Sequence, residues 1–323
     1  MGATKISDVI QPELFAQYVI DKTTEKSEIM NAGVVENNPE LNRLITGGGT
    51  ILTMPKWNDL GGKSQVLDDT NPITVNNITS KSELATLLIR ANAWGAHELA
   101  GALAGDDPMK AIASRVADWW VRDEKSNIMS ILNGVFASTS MSGLVKDITG
   151  GSETAISANA VLDAKQLMGD ASDLLSMIYM HSATFTELQK QNVIQFIPVA
   201  ESKISIPTYL GYRVVCDDSA PVDNTNGAKP KYTTYLLARG AIQRGIGTPI
   251  DLTQVETDRD SLGSTDYLIN RQAKVLHPKG ISWIGGSNIT GPTPSDAELA
   301  VGTNWNRVSD IKKIGMVKLV HTL

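Results

Sequence analysis

The stretch Asp106–Gly134, D-D-P-M-K-A-I-A-S-R-V-A-D-W-W-V-R-D-E-K-S-N-I-M-S-I-L-N-G, decides how the rest of the chain is read. Asp106 or Asp107 can cap a helix, and Pro108 suits its first position, where a missing N–H costs nothing. Ile112, Val116, Trp119, Trp120, Ile128, Ile131, Leu132 and Val135 recur mostly at three- and four-residue steps, which makes one apolar face. Arg115, Asp118, Arg122, Asp123, Glu124 and Lys125 form a wetter face. Gly134 is the expected stop. The expected helix, residues 107–133, is roughly 40 Å long at ~1.5 Å per residue. Nothing along it resembles a catalytic pair. It reads as a spine to which other parts attach; the alternative is a core helix of an ordinary enzyme domain. Either way Ile112, Val116, Ile128 and Leu132 should pack on a sheet. Arg115, Arg122 and Lys125 should face outward.

The chain has 323 residues, room for two or three domains, and 41% of them are apolar. A formal net charge of −6 argues against coating nucleic acid by phosphate neutralisation. A single cysteine, Cys216, excludes an intrachain disulfide and a cysteine-based zinc cluster. Cys216 lies in an apolar run and reads as a small buried hydrophobe. No apolar window reaches membrane-spanning length, and there is no signal-peptide core.

Before the spine, residues 1–45 read as an arm with few packing partners of its own. A short helix is expected between Pro12 and Asp21, carrying Phe15 and Tyr18. Gly47–Gly49 and Gly61–Gly62 are hinge-like. Thr50–Ser80 reads as a long β-hairpin, with residues 50–58 as one limb and residues 72–79 as the other. Pro55 marks an edge strand. The tip holds Leu60, Lys63, Val66 and Leu67. A two-stranded hairpin of this length is marginal in water and should lie on another surface, a neighbouring subunit being the natural one. Trp57, Leu60, Lys63, Val66, Leu67, Phe15 and Tyr18 are therefore the candidate inter-subunit contacts. Gly62–Lys63–Ser64 resembles the end of a phosphate loop, but Trp57 stands where the earlier glycine belongs and the strand–loop–helix context is missing.

Leu84–Trp94 reads as one strand. After the spine, residues 138–151 are loose. Ser157–Met168 is an expected helix capped by Ser157, Leu174–Met180 a buried strand, and Ala183–Gln191 a second helix. Lys203–Pro221 reads as a strand pair with a turn at Asp217–Asp218. Further strands are expected at Tyr232–Ala238, Ile242–Ile246 and Asp251–Thr257, followed by a charged turn over residues 257–265. Another runs over Asn270–Ile284 with a break at His277–Pro278, and the last is Ile314–Val320, with Lys312, Lys313 and Lys318 exposed. The four histidines sit on separate elements without metal-ligand spacing. His181 belongs at a strand–helix junction. Asp217–Asp218 and Asp258–Asp260 read as solvated turns. Trp119–Trp120 read as divided between a core and a subunit or domain contact. No catalytic constellation, Gly-rich dinucleotide fingerprint or cofactor motif appears.

Four segments, in order, carry a resemblance: I-Y-M-H-S-A-T-F-T-E-L (178–188), Y-L-G-Y-R-V-V-C-D-D-S-A-P (209–221), L-H-P-K-G-I-S-W (276–283) and N-W-N-R-V-S-D-I-K-K-I-G-M-V-K-L (304–319). Together with the arm, hairpin and spine they resemble the major capsid proteins of tailed double-stranded-DNA bacteriophages, with the Hong Kong-type capsid fold. The resemblance implies an α+β fold. Residues 1–45 would be an N-terminal arm, 46–82 an extended loop, and 83–150 a peripheral domain with the spine helix. Residues 151–245 would be an α/β axial domain, and 246–323 a return to the peripheral domain. It implies pentamers and hexamers of the chain in an icosahedral virion head, assembled in the host cytoplasm and enclosing double-stranded DNA without sequence-specific binding. It further implies no enzyme activity, cofactor or membrane, and as partners a separate scaffolding protein, a portal and decoration proteins. An encapsulin-type nanocompartment shares the fold and is the closest rival. An α/β hydrolase-like enzyme would need an acid–base pair the sequence lacks.

Overall fold

The computed structural model describes residues 32–58, 60, 62–66, 74–99, 108–151, 153–198, 205–225, 229–249 and 252–323. Phe15, Tyr18, the short helix expected near them, Leu67 and the candidate caps Asp106 and Asp107 lie outside the described residues.

The spine helix runs Pro108–Ala137, past the expected stop. Gly134 sits inside its last turns because of packing. A β-carbon there would overlap the carbonyl oxygen of Leu299 and approach Trp305 Nε1 to 2.6 Å. The indole instead donates to that carbonyl at 2.8 Å. The glycine thus lets the short capped helix Asp296–Leu299 lie against the spine backbone.

The two halves of the spine serve different cores. Met109, Val116 and Trp120 cluster with Val255 and Leu268, flanked by Ile112, Trp119 and Trp94. Ile128, Ile131, Leu132 and Val135 join the main core with Met177, Tyr179 and Leu236. Phe136 stacks on Tyr235 at 5.5 Å, and the Tyr235 hydroxyl donates to Asn133 Oδ1 at 3.0 Å. Ile112 and Val116 therefore meet one sheet, while Ile128 and Leu132 meet another. Trp120 is buried, and Trp119 is set edge-on against Trp94 within the same chain.

The charged residues between these halves are not a wet face. Glu124 and Arg244 are each 3% exposed at the side chain and pair twice, Nε to Oε1 at 2.7 Å and Nη2 to Oε2 at 3.0 Å. Lys274 Nζ, 1% exposed, reaches Asp123 Oδ2 at 2.8 Å and lies 5.5 Å from the Trp120 ring centroid. Lys125 pairs with Asp217. Burial raises the Asp217 carboxyl, but hydrogen bonds from Lys125 and Ser219 outweigh it and hold the group below its ordinary value. Arg115 and Arg122 remain exposed. A sequence pattern cannot tell a solvated charge from one that meets an opposite charge far along the chain.

Among the described residues one sheet has five strands, in the order Val35–Asn37, Ile242–Gly247, Thr265–Pro278, Val255–Asp260, with Leu88–His97 also paired to Thr265–Pro278. A second has eight, running Val145–Asp147, Met316–His321, Lys231–Ala238, Leu175–Met180, Tyr212–Cys216, Ser205–Tyr209, Gln195–Pro198, with Val222–Asp223 on Lys231–Ala238. Helices Ala158–Gln166 and Ser182–Lys190 fall close to expectation. Ser157 Oγ accepts from Ala160 N, and His181 Nδ1 accepts from Ala183 N at the second helix start.

Several boundaries differ from the sequence reading. Residues 34–46 belong to the body: Val35–Asn37 pairs parallel with Ile242–Arg244, and helix Pro39–Thr46, capped by Asn38, buries Leu41 and Ile45. The expected strand over 84–94 is two strands of different sheets, Ser80–Thr86 and Leu88–His97. Leu210–Gly211, not Asp217–Asp218, turns the strand pair Ser205–Tyr209 and Tyr212–Cys216; the Asp pair follows it. The tip between Val255–Asp260 and Thr265–Pro278 is residues 261–264, shorter than the charged turn expected. Residues 145–147, read as loose, add an edge strand. Lys318 is half-buried between two strands, and burial pushes its ammonium pKa down.

Two substitutions test this packing. Gly134→Ala gains helix propensity worth about 1 kcal/mol but must displace Leu299 and Trp305, so thermal unfolding of the purified chain should show a net loss of stability. Glu124→Ala strands a buried guanidinium and should cost about 3–5 kcal/mol, while Glu124→Leu with Arg244→Met should recover most of it in denaturant titration.

Candidate assembly surface

The extended loop is built differently from the expected hairpin. Ile51–Trp57 pairs antiparallel with Ser80–Thr86, from Ile51 opposite Thr86 to Trp57 opposite Ser80. The returning limb is thus the polar run S-K-S-E-L-A-T, and residues 74–79 carry no strand. Burial at the root sets this register. Leu52 and Ala85, opposite each other, are both buried in a cluster with Leu41, Ile45, Leu87 and Val275. Beyond Trp57 the limbs are held at separate points. Asn58 N donates to Thr79 O at 2.9 Å. Farther out, the Gln65 amide and Thr74 backbone exchange two bonds at 2.8 Å.

Glu83 pins the root. Its Oε1 accepts from Lys56 Nζ at 2.9 Å and Ser309 Oγ at 3.2 Å. Its Oε2 meets His277 Nε2 at 3.2 Å and Gly280 N at 3.1 Å. Burial acts to raise this carboxyl, but the hydrogen bonds from His277 and Lys56 and their charge outweigh it and lower it to about 2. Four segments of the chain thereby converge on one carboxylate at the loop's base.

The candidate contacts divide plainly. Trp57 is 68% exposed, Leu60 78% and Val66 92%, and Lys63 is exposed with them. Leu67, Phe15 and Tyr18 fall outside the described residues. Sequence reasoning missed Val75, 84% exposed, and Ile78 on the returning side, because their β-branched pattern read as strand. It missed Glu83 altogether, since its partners lie at positions 56, 277, 280 and 309. Among the described residues no group of three or more His, Cys, Asp or Glu could hold a metal. No described helix is long and apolar enough to cross a membrane. The surface offers apolar contact area on a braced stem.

The sign of Glu83's contribution follows from its lowered pKa. Its stabilisation is present above the ordinary value of 4.5 and is lost as pH falls from there toward about 2. The stability gap between wild type and Glu83→Gln should be largest at neutral pH, up to about 3 kcal/mol, and should close over that acid range in pH-dependent melts.

Comparison with known proteins fits this geometry. A family model described as "Gp13-like: Major capsid protein 13-like" matches residues 108–316, from the start of the spine into the last strand. The major capsid protein of Bacillus phage SPP1 is 44% identical over 325 residues, spanning 100% of this chain and 99% of that one. Among solved structures the capsid of Ralstonia phage GP4 has a TM-score of 0.60 at 10% identity, covering 92% of this chain and 89% of the other. The cyanophage Pam1 capsid also has a TM-score of 0.60, at 12% identity, covering 93% and 92%. At such identities these two establish the Hong Kong-type fold alone. The full-length identity and the family match establish more: this chain belongs to the Gp13-like major capsid protein family.

Proposed function

We propose that the chain is the repeating subunit of an icosahedral phage head, assembling as pentamers and hexamers into a shell that encloses double-stranded DNA. Membership of the family makes it a structural shell component of the virion, with no enzymatic role. One observation carries the proposed manner of assembly. The body is braced by buried ion pairs, while a long loop rooted in it presents Trp57, Leu60, Val66 and Val75 to solvent. Apolar surface on a protruding stem gains free energy only when another surface covers it, at about 25 cal/mol per Å². A neighbouring copy of the chain supplies that surface. On this reading Lys63 and Leu67 at the tip, and Phe15 and Tyr18 in the arm, take part in the same contacts.

The division of labour proposed is an arm over 1–45, of which 34–45 also anchors in the body, and an extended loop over 46–82. A peripheral domain spans 83–150, an axial domain 151–245, and the chain returns to the peripheral domain over 246–323. Assembly takes place in the host cytoplasm with a separate scaffolding protein; a portal and decoration proteins complete the shell. The net charge of −6 suits a container filled by other means than its own attraction for phosphate. The encapsulin alternative is not favoured, because the full-length relative at 44% identity is a phage major capsid protein.

Electron microscopy of the purified chain, alone and co-expressed with a scaffold, should show shells or rings of five or six; a chain that stays strictly monomeric in both would refute the reading. Deleting residues 60–71 should abolish assembly while leaving the circular dichroism and melting of the body unchanged. Normal shells from that variant would show that the loop does not carry the overlap.

A further inference from the structure

Beside the root of the extended loop lies a groove of about 440 Å³, with the exposed Trp57 ring as one wall. Lys56, Lys81, Arg307 and Lys313 line it together with Asp310. Lys56 is answered by Glu83 at 2.9 Å. Lys313 is engaged as well, and Asp310 offsets one further positive charge. Two cations remain. Arg307 is held by carbonyls, its Nε donating to Ser140 O at 3.0 Å and its Nη1 to Ser309 O at 3.3 Å, and it meets no carboxylate among the described residues. Lys81 is exposed and stands directly opposite Lys56 across the two limbs. Like charges in that position repel, so Lys81 gains from a carboxylate brought in from outside. A fixed guanidinium, such an ammonium and a ring face together fit carboxylates carried next to an apolar side chain.

The chain bears that combination at the far end of its longest described strand. Val255–Asp260 and Thr265–Pro278 form a hairpin whose tip leaves Leu262 99% exposed. The turn holds it outward: Asp260 Oδ1 accepts from Leu262 N and Gly263 N, both at 3.0 Å, and Thr265 Oγ1 donates to Gly263 O at 3.0 Å. The neighbouring cation, Arg259, is taken by Glu98 at 2.5 Å and Asp266 at 3.3 Å. Asp258 and Asp260 lie two positions apart on one face of the hairpin, are exposed, and meet no cation among the described residues. This tip cannot enter the groove of its own chain. Near the other end of the same strand His277 reaches Glu83 at 3.2 Å, and Glu83 holds the groove's Lys56. From Thr265 to His277 the strand covers roughly 40 Å at ~3.3 Å per residue. Overlapping ladders to Leu88–His97 and Ile242–Gly247 keep it extended.

We infer that the hairpin tip of one copy seats in the loop-root groove of a neighbouring copy, with Leu262 against the Trp57 ring and Asp258 and Asp260 facing Arg307 and Lys81. This rests on the chain assembling with itself, as proposed above, and gives Trp57 its partner. Tip and groove lie at opposite ends of one extended strand, so the contact is head-to-tail, and repeated around a closing rotation it makes a ring. A tip already ordered by its own hydrogen bonds loses little freedom on docking. A nucleic acid suits the groove less well, because Asp310 would stand against its phosphates.

Zero-length carbodiimide coupling tests the contact in shells or rings co-assembled from equal amounts of isotopically heavy and light full-length chains. Mass spectrometry should find Lys81 amide-linked to Asp258 or Asp260, heavy to light as often as like to like. The pair Lys312–Asp170, at 2.7 Å within one chain, should couple in the same sample between like isotopes only. Leu262→Ser should lower the yield of sedimenting shells several-fold while the melting of the free subunit stays unchanged, since the side chain stands clear of the body. Asp258→Lys and Lys81→Glu should each lower that yield likewise, and the two together should restore it. Several results would overturn the contact and leave self-assembly standing: normal shells from Leu262→Ser, no Lys81 link while the control couples, Lys81 links between like isotopes only, or a swapped pair no better than either single variant. A wild-type chain that forms neither shells nor rings would remove self-assembly, and the contact with it.

Discussion

The buried pair Glu124–Arg244 is the constraint on which the rest of the structure depends. It joins the middle of the spine to the strand Ile242–Gly247, whose neighbours carry the start of the described body and the longest strand of the five-stranded sheet. Two charges removed from water are costly, and the fork-to-carboxylate geometry with two bonds is what offsets that cost. Asp123 and Lys125 on either side fix the spine to Lys274 and Asp217. Three consecutive charges thus reach three different strands or strand ends. Apolar packing holds the two ends of the helix, but it is directionless; the ion pairs fix the helix's rotation and register against both sheets.

A body held this firmly can carry a loop that is not itself stable. The paired limbs Ile51–Trp57 and Ser80–Thr86 are hydrogen-bonded to neither large sheet, and among the described residues of the loop's outer part Asn58 bonds to Thr79 and Gln65 to Thr74. What keeps it directed is its root, where Leu52 and Ala85 enter a core and Glu83 gathers Lys56, His277, Gly280 and Ser309. Gly48 and Gly49, both in the left-handed region, let the chain turn from the helix Pro39–Thr46 into the loop without strain. Identical subunits in unlike positions of a closed shell need such a combination, a rigid centre with projections that adapt at their bases.

Much of this was legible in the sequence because it rests on local pattern. Periodicity marks the spine and the helices Ala158–Gln166 and Ser182–Lys190, and apolar or alternating runs mark the central strands Met316–His321, Lys231–Ala238, Leu175–Met180 and Tyr212–Cys216 of the eight-stranded sheet. Ser157 and His181 fall at helix starts. What was not legible depends on partners distant in sequence. Gly134 reads as a stop until Leu299 and Trp305 are beside it. Glu124 reads as surface until Arg244 faces it. The returning limb was assigned to the β-branched residues 72–79, yet the polar run at 80–86 pairs, because burial of Ala85 and Glu83 outweighs strand propensity. The exposed contacts Trp57, Leu60 and Val66 were visible as apolar residues with no pattern to bury them. The carboxylate that braces their stem was not.

The central claim is that assembly acts on the loop and leaves the riveted spine as it already is. Amide hydrogen exchange on free subunits and on assembled shells measures this directly. The account expects protection to rise over residues 51–66 and 74–79 on assembly, while the amides of residues 116–135 are slow in both states. A loop that exchanges equally fast in shells, or a spine that becomes protected only on assembly, would contradict it.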